Sequence, residues 1–268
     1  MTAKINYLSR EDLSKKKTMI MKFSRSPLIK SVHVIGSSSE IAKAICLSLA
    51  ERGCRRFHLV SRDIPRCNLF ASKLKEEFDS VVTMEETDLL DDSEIKNKKS
   101  INIDDFDLYL VTAGSLGDPI LAQNESSEAL KITAANYTGL ITWITSIVTE
   151  ERLQKSSRLW VFSSVASDRA KPSNYHYCAA KAALNIYCEG LYLRCYKKPF
   201  SVRIIKAGFL DTRMTEGKAP KLICLSPLLV AKFLLRRPNR RGFEYLPWWW
   251  SIIMRIFKSL PPFIASRL

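Results

Sequence analysis

Seven short apolar runs punctuate the chain, and stretches with helical spacing separate them. The runs are Ser31 to Ile35, Arg56 to Val60, Val81 to Met84, Leu108 to Thr112, Leu159 to Phe162, Ser201 to Lys206 and Phe243 to Leu246. Short, nearly continuous apolar runs bounded by turn residues predict strands buried on both faces. Ile41 to Arg52 carries Ile41, Ile45 and Leu49 on one helical face, and Gly53 ends it. A long helical segment is expected over 122–150, another from near Ser173, and a third opened by Ser226-Pro227 and running to about Leu235. Strands alternating with helices imply parallel βαβ units. The expectation is an α/β chain with one doubly wound parallel sheet of about seven strands and helices on both faces, over 28–247.

The two ends break this rhythm. Residues 1–27 are polar and basic and read as a mobile arm, with Met19 or Met21 as alternative starts. Residues 248–268 form a separate tail. Three tryptophans, Trp248 to Trp250, lead into Ser251-Ile252-Ile253-Met254-Arg255-Ile256-Phe257-Lys258-Ser259-Leu260. On a helix Ser251, Arg255, Lys258 and Ser259 share one narrow face and the rest is apolar. That pattern suits a helix lying in a bilayer interface, or one packing on the domain or a second subunit.

Composition sharpens the choice of partners. A net charge of +15 on 268 residues points to an acidic partner: a membrane surface, a phosphorylated substrate or, last, nucleic acid, for which no known module appears. No run reaches the length of a membrane span and no secretory leader is visible, so a cytoplasmic protein is expected, at most touching the inner face of a membrane. The seven cysteines are scattered without metal-binding spacing, which fits reduced thiols and no metal.

Two segments carry candidate chemistry. After the first strand, Gly36-Ser37-Ser38-Ser39-Glu40-Ile41-Ala42 turns the chain into a helix, an arrangement that points backbone N–H groups at a pyrophosphate. Gly36, Ser38, Ser39 and Ile41 are the candidate contacts, and the sheet is then of Rossmann type. After the second strand an acidic residue would bind a ribose 2′-hydroxyl; here Ser61 stands there and Arg62 follows, which suits a 2′-phosphate and favours NADP(H) over NAD(H). The other segment is Leu159 to Gly190. Ser163 and Ser164 lie where its strand ends, and Tyr177 and Lys181, four apart, share a helix face. An ammonium beside a phenol favours the phenolate, so such a tyrosine can exchange a proton with a carbonyl that Ser164 also reaches. His176 and Cys178 point away from that face, and Cys188 and Cys195 read as packing.

Ser164, thirteen residues, then Tyr177-x-x-x-Lys181 resembles the active-site pattern of the short-chain dehydrogenases/reductases, and the resemblance covers roughly 30–268. It implies a hydride-transferring oxidoreductase that interconverts a ketone and a secondary alcohol, with Ser164, Tyr177, Lys181 and Asn136 catalytic. Asn136 of Asn136-Tyr137-Thr138-Gly139 would place a relay water beside Lys181. The resemblance also implies that Asp88 and Leu89 meet the adenine, that Ala113-Gly114 lets the backbone approach the cofactor, and that Gly208, Leu210 and Thr212 lie at the nicotinamide. It departs from the family's pattern where Glu40 and Ala42 replace glycines, where Val111-Thr112 precede Ala113-Gly114, and where Ala207 replaces proline. Ala113 to Asp118, Ser163 to Arg169 and Gly208 to Thr215 are similar to a subgroup that reduces keto groups on polyprenyl-phosphate-linked sugars. That similarity implies a lipid-linked keto-sugar as substrate, with a homo-oligomer or an oxidase subunit as partner. A reductase of another lipophilic ketone and a non-catalytic cofactor-binding subunit are the alternatives.

Overall fold

Strands that are apolar on both faces need cover on both faces, and the fold supplies it. The computed structural model describes residues 29–90, 103–217 and 221–267; the expected N-terminal arm lies outside them. The strands are β1 (Ser31–Ile35), β2 (Arg56–Ser61), β3 (Val81–Glu86), β4 (Leu108–Val111), β5 (Arg158–Ser164), β6 (Ser201–Ala207) and β7 (Gly242–Leu246). They form one parallel sheet in the order β3-β2-β1-β4-β5-β6-β7. The order reverses between β1 and β4, and in such a sheet the crevice beyond those strand ends takes the ligand.

The period-two alternation of each strand divides the core. Val32, Val34, Phe57, Leu59, Leu108 and Leu110 face one layer. There they meet Ile41, Ile45 and Leu49 of α1 (Glu40–Ala50), Phe70 and Leu74 of α2 (Pro65–Phe78), and the helix that begins at Pro227. Ile35, Val60, Tyr109, Val111, Leu159 and Val161 face the other, against Leu140, Trp143, Ile144, Leu184 and Cys188. All seven cysteines are free thiols, six of them buried.

The long helix expected over 122–150 is four pieces: α3 (Pro119–Asn124), α4 (Ser126–Thr133), α5 (Gly139–Ile147) and α6 (Glu150–Leu153). Three local causes divide it. Asp118 caps α3 through bonds to the N–H groups of Ile120 and Leu121, and Glu125 is extended (φ −122°, ψ 115°). Residues Ala134–Thr138 widen into a π-turn, and Thr149 starts α6 by accepting from the Arg152 N–H. Such a widened turn is often built at a functional position, and Asn136 sits in it.

Beyond the sheet centre come α7 (Tyr175–Arg194), α8 (Pro227–Arg236), α9 (Trp250–Ser259) and α10 (Pro262–Ala265). Ser226 caps α8 as its sequence predicts, its hydroxyl accepting from the Leu229 N–H. Among the described residues no helix is long and apolar enough to cross a membrane. The tail helix α9 packs on the domain with part of its apolar surface. Met254 is buried, while Trp250, Ile253 and Phe257 are half-buried.

Candidate active site

β5 ends at Ser164, and a single 3₁₀ turn, Val165–Ser167, follows because Ser164 Oγ accepts the Ala166 N–H at 3.1 Å. Ser167 Oγ donates back to the Ser164 carbonyl and accepts from Asn185 Nδ2 of α7 at 2.5 Å. Strand end and helix are thus fastened together, and the Ser164 side chain lies near enough to the Tyr177 hydroxyl to favour its ionised form. Lys181, one turn on, donates from Nζ to the Phe162 carbonyl at 3.3 Å and lies 5.9 Å from the centre of the Tyr177 ring.

Burial decides the protonation of this pair. Tyr177 is pushed up to about 12 by desolvation, against a smaller opposing effect of the Ser164 side chain. Lys181 is pulled down to about 8, again by desolvation. The lowering of the phenol expected from the neighbouring ammonium is not what this geometry gives. At 5.9 Å from the ring centre, the lysine does not offset the loss of water around a buried hydroxyl. Burial thus favours the neutral phenol at neutral pH and brings the Lys181 ammonium closer to losing its proton.

Asn136 is fully buried. Its Nδ2 donates to the Ser115 carbonyl at 2.6 Å and to the Ile132 carbonyl at 2.8 Å, and its Oδ1 accepts the Ser115 N–H at 3.2 Å. Both amide hydrogens are committed to the chain, leaving Oδ1 the capacity for one further bond. A β-carbon on Gly114 would lie 2.8 Å from that Oδ1 and 3.2 Å from Lys181 Nζ. Asn136 and Lys181 therefore face one point above the Gly114 α-carbon. Ser115 is a residue that sequence reasoning missed; its role rests on main-chain atoms, which carry no side-chain signature.

The cofactor candidates gather at the sheet's reversal point. Gly36 has φ +88°, and a β-carbon there would be 2.5–2.8 Å from Ala113, so only glycine lets β1 and β4 approach. Gly36 and Ser37 donate their N–H groups to the Val60 carbonyl at 3.0 and 3.1 Å. Thr112, at a position where the resemblance leads one to expect asparagine, donates from Oγ1 to the Gly36 carbonyl at 2.9 Å. Ser39 caps α1 by accepting the Ile41 N–H, and the Ile41 side chain goes into the core. Among the described residues neither the N–H nor the hydroxyl of Ser38 has a partner. These donors, at a helix start, fit a pyrophosphate. Glu40, the unexpected acid of this turn, is drawn aside by Arg213, whose Nε donates to it at 2.6 Å. Burial alone would raise the Glu40 carboxyl; the bond and charge of Arg213 and its own backbone N–H outweigh that, and it lies below its ordinary value.

Arg62 is exposed directly after β2, with no acidic partner among the described residues. Asp63, the acid next to it, pairs with Arg66 at 2.8 Å. A cation free of its neighbouring acid fits a 2′-phosphate. Asp88 is exposed and accepts the Leu90 N–H, while Leu89 is half-buried against the core beside Gly139. Gly208 donates its N–H to the Leu246 carbonyl, Leu210 is buried and bridged to Leu225, and Thr212 caps the turn Arg213–Thr215, its Oγ1 3.3 Å from that of Thr215. The segment expected to cover the substrate, 213–225, includes residues outside the described ones.

The loop after Ser164 also holds the tail. The Asp168 side chain is buried and accepts from Lys206 Nζ and from the Tyr245 hydroxyl at 2.6 Å. Next to it, Arg169 Nη1 donates to the carbonyls of Phe257 and, at 2.8 Å, Lys258, the last turn of α9. A β-carbon on Gly208 would overlap the Trp250 indole at the other end of α9.

A seven-stranded parallel sheet reversing beside a glycine turn, with a serine, tyrosine, lysine and asparagine set beside its strand ends, defines a Rossmann-like α/β fold. The family model "short chain dehydrogenase" matches residues 30–222, and the chain belongs to that family, a class of NAD(P)-dependent oxidoreductases. It is 30% identical over 156 residues to an uncharacterised oxidoreductase of Mycobacterium tuberculosis, covering 58% of this chain and 63% of that protein. The chain thus spans less than two thirds of that relative. It is 28% identical over 248 residues to an uncharacterised oxidoreductase of Streptomyces coelicolor, covering 89% of this chain and 96% of the relative. In fold it is similar to a short-chain dehydrogenase from Sphingobium yanoikuyae in complex with NADPH (TM-score 0.67, 18% identity, 87% of this chain and 97% of that one). It is likewise similar to L-sorbose reductase from Gluconobacter frateurii complexed with NADPH and L-sorbose (TM-score 0.65, 18% identity, 81% and 94%).

Proposed function

We propose that this protein is an NADP(H)-dependent reductase of a ketone, and that the ketone sits on a lipid-linked sugar met at an anionic membrane surface. The chemistry is carried by one arrangement: buried Tyr177 and buried Lys181 lie together beside the end of the strand that carries Ser164, with Lys181 Nζ 5.9 Å from the centre of the Tyr177 ring. Bound NADPH would supply the hydride. The residues of the chain do the rest. Ser164 holds the carbonyl oxygen, and Tyr177 gives that oxygen its proton as hydride arrives at the carbon. Lys181, when charged, stabilises the phenolate left behind and can return a proton to it, with Asn136 Oδ1 holding the water between. Ser38 and the start of α1 hold the pyrophosphate, Gly36 makes the turn that brings it close, and Arg62 takes the 2′-phosphate.

The lipid-linked substrate is supported by the outer side of the tail. Trp248 and Phe263 are 68% and 67% exposed, and Trp249, Ile252 and Ile256 are exposed with them. Arg255, Lys258 and Arg267 are exposed among these apolar groups, a pairing that suits anionic headgroups. Arg169 ties this helix directly to the catalytic loop. The segments Ala113 to Asp118, Ser163 to Arg169 and Gly208 to Thr215 resemble the reductase subunit of decaprenylphosphoryl-ribose 2-epimerase, which supports the same reading.

The test is NADPH consumption by the full chain with polyprenyl-phosphate keto-sugars and with simple lipophilic ketones, each with and without anionic vesicles. Turnover of the lipid-linked sugar alone, faster on vesicles, is expected. Turnover of the simple ketones alone would replace the sugar reading. NADPH binding without turnover of either would leave a cofactor-binding subunit.

A further inference from the structure

β5 and β6 begin side by side, and their first residues, Arg158 and Ser201, are register partners at the edge of the sheet opposite the catalytic serine. A cavity of about 120 Å³ opens there, lined by Ser156, Ser157, Arg158, Ser201, Asn239 and Arg241. One water needs only about 10–15 Å³ measured in this way, so the cavity has room for several waters or for a tetrahedral oxyanion.

Its chemistry is one-sided. Arg158 is 4% exposed. Its Nε and Nη2 donate to Asn239 Oδ1 at 3.0 and 2.7 Å, a neutral partner. Among the described residues Arg158 has no ion pair, and its Nη1 makes no hydrogen bond. Asp107, the acid before its strand partner Leu108, spends its carboxylate on the N–H groups of Lys30 and Ser31 and on the Ser31 hydroxyl. Arg241 is clamped at the rim by the carbonyls of Lys198 at 3.0 Å and Pro199 at 3.1 Å. Glu150 is taken by Arg194 and Lys198. The hydroxyls of Ser156, Ser157 and Ser201 have no partner among the described residues, and no acid lines the cavity. The Asp107 carboxylate acts on Arg158 only through space, and burial outweighs it, leaving the guanidinium below its ordinary value; with an amide as its only side-chain hydrogen-bond partner, an anion in direct contact would offset the rest of the desolvation.

We infer that this cavity is a phosphate site, taking inorganic phosphate or the phosphate-monoester group of a small metabolite between Arg158, Arg241 and the three serines. It is not part of the cofactor site. Six residues of extended strand separate Arg158 from Ser164, roughly 20 Å.

The test follows thermal unfolding of the full chain in inorganic phosphate and in glycerol phosphate, against chloride at the same ionic strength. Three variants are compared with the wild type. Ser156→Asp places a carboxylate at the exposed rim, beside the guanidinium, and does not disturb the core. Arg158→Gln removes the buried charge. Arg62→Ala removes the cation at the cofactor turn. The expected result is a phosphate-dependent rise in Tm of several degrees that Arg62→Ala keeps and that both Ser156→Asp and Arg158→Gln lose. A larger rise with glycerol phosphate than with phosphate identifies the monoester as the ligand, and the reverse identifies the free ion. No rise in the wild type overturns the site, and so does a rise lost in Arg62→Ala but retained in Ser156→Asp. Where Arg158→Gln does not fold, the Ser156→Asp arm decides.

Discussion

Trp250 occupies the space that a side chain on Gly208 would need: a β-carbon there would overlap the indole at its nitrogen and two ring carbons. The indole nitrogen is buried and without a partner among the described residues, and the Phe209 ring packs edge-on against the indole with centroids 5.6 Å apart. The first turn of the tail helix is therefore seated on the loop where the nicotinamide is expected. Gly208→Ala should cost about 1–3 kcal/mol in urea unfolding, the usual range for overpacking. It should also expose Trp250, seen as a red shift in tryptophan fluorescence. Adding Trp250→Ala should recover part of the loss, because the clash then disappears; a double variant no better than Gly208→Ala would show that the strain lies in the backbone instead.

Lys181 separates catalysis from stability. Its ordinary value of 10.5 falls to about 8 on burial, a difference of about 3 kcal/mol. Below pH 8 the native and unfolded states both hold the proton, and the native state bears the full cost of a buried charge. Between pH 8 and 10.5 the native state has released the proton and the unfolded chain has not, so stability rises with pH across that window. Lys181→Met should therefore be more stable than the wild type at pH 7, by about 2–3 kcal/mol, with the gap closing towards pH 10.5. The same variant should lose at least a hundredfold in turnover. In the wild type, ketone reduction should decline above about pH 8, as the charge that stabilises the Tyr177 phenolate is lost.

What the sequence made legible was what local pattern encodes. All seven strands were readable from apolar runs such as Ser31 to Ile35, and Ser164, Tyr177 and Lys181 from their spacing, because strand end and helix face are local properties. The break at Glu125 was not readable: extended backbone at one residue leaves the helical spacing on either side intact. Nor was the hold on Asn136, since Ser115 grips it with main-chain atoms. The tail could be read as amphipathic but not placed. Its docking depends on Arg169, 88 residues before Phe257, and on the emptiness of Gly208.

Arg62 should decide between the two nicotinamide nucleotides. It is exposed after β2 while Asp63 is occupied by Arg66, so the free charge where the adenosine ribose is expected is positive. A charge-assisted bond to a phosphate is worth about 1.5–3 kcal/mol. Arg62→Ala should weaken NADPH binding by about tenfold or more and leave NADH within twofold, measured by nicotinamide fluorescence. Equal weakening of both would mean that Arg62 shapes the loop and does not read the phosphate.

Glu40 and Arg213 make the last prediction, because the pair places a carboxylate where a pyrophosphate is expected. Arg213 Nε lies 2.6 Å from Glu40 Oε1 and links the segment after β6 to the start of α1. Both side chains are partly exposed, 54% and 35%, so the pair should matter little to folding, less than about 1 kcal/mol. Its effect on binding is larger, since an unpaired carboxylate some 4–6 Å from a phosphate repels it by about 1 kcal/mol even in a watery dielectric. Arg213→Ala should thus weaken NADPH about fivefold at low salt, with the loss shrinking as ionic strength rises. Glu40→Gln should bind NADPH at least as tightly as the wild type, and in that background Arg213→Ala should cost little. If Arg213→Ala is equally harmful with Gln at position 40, the arginine touches the cofactor itself and the neutralising role assigned to it fails.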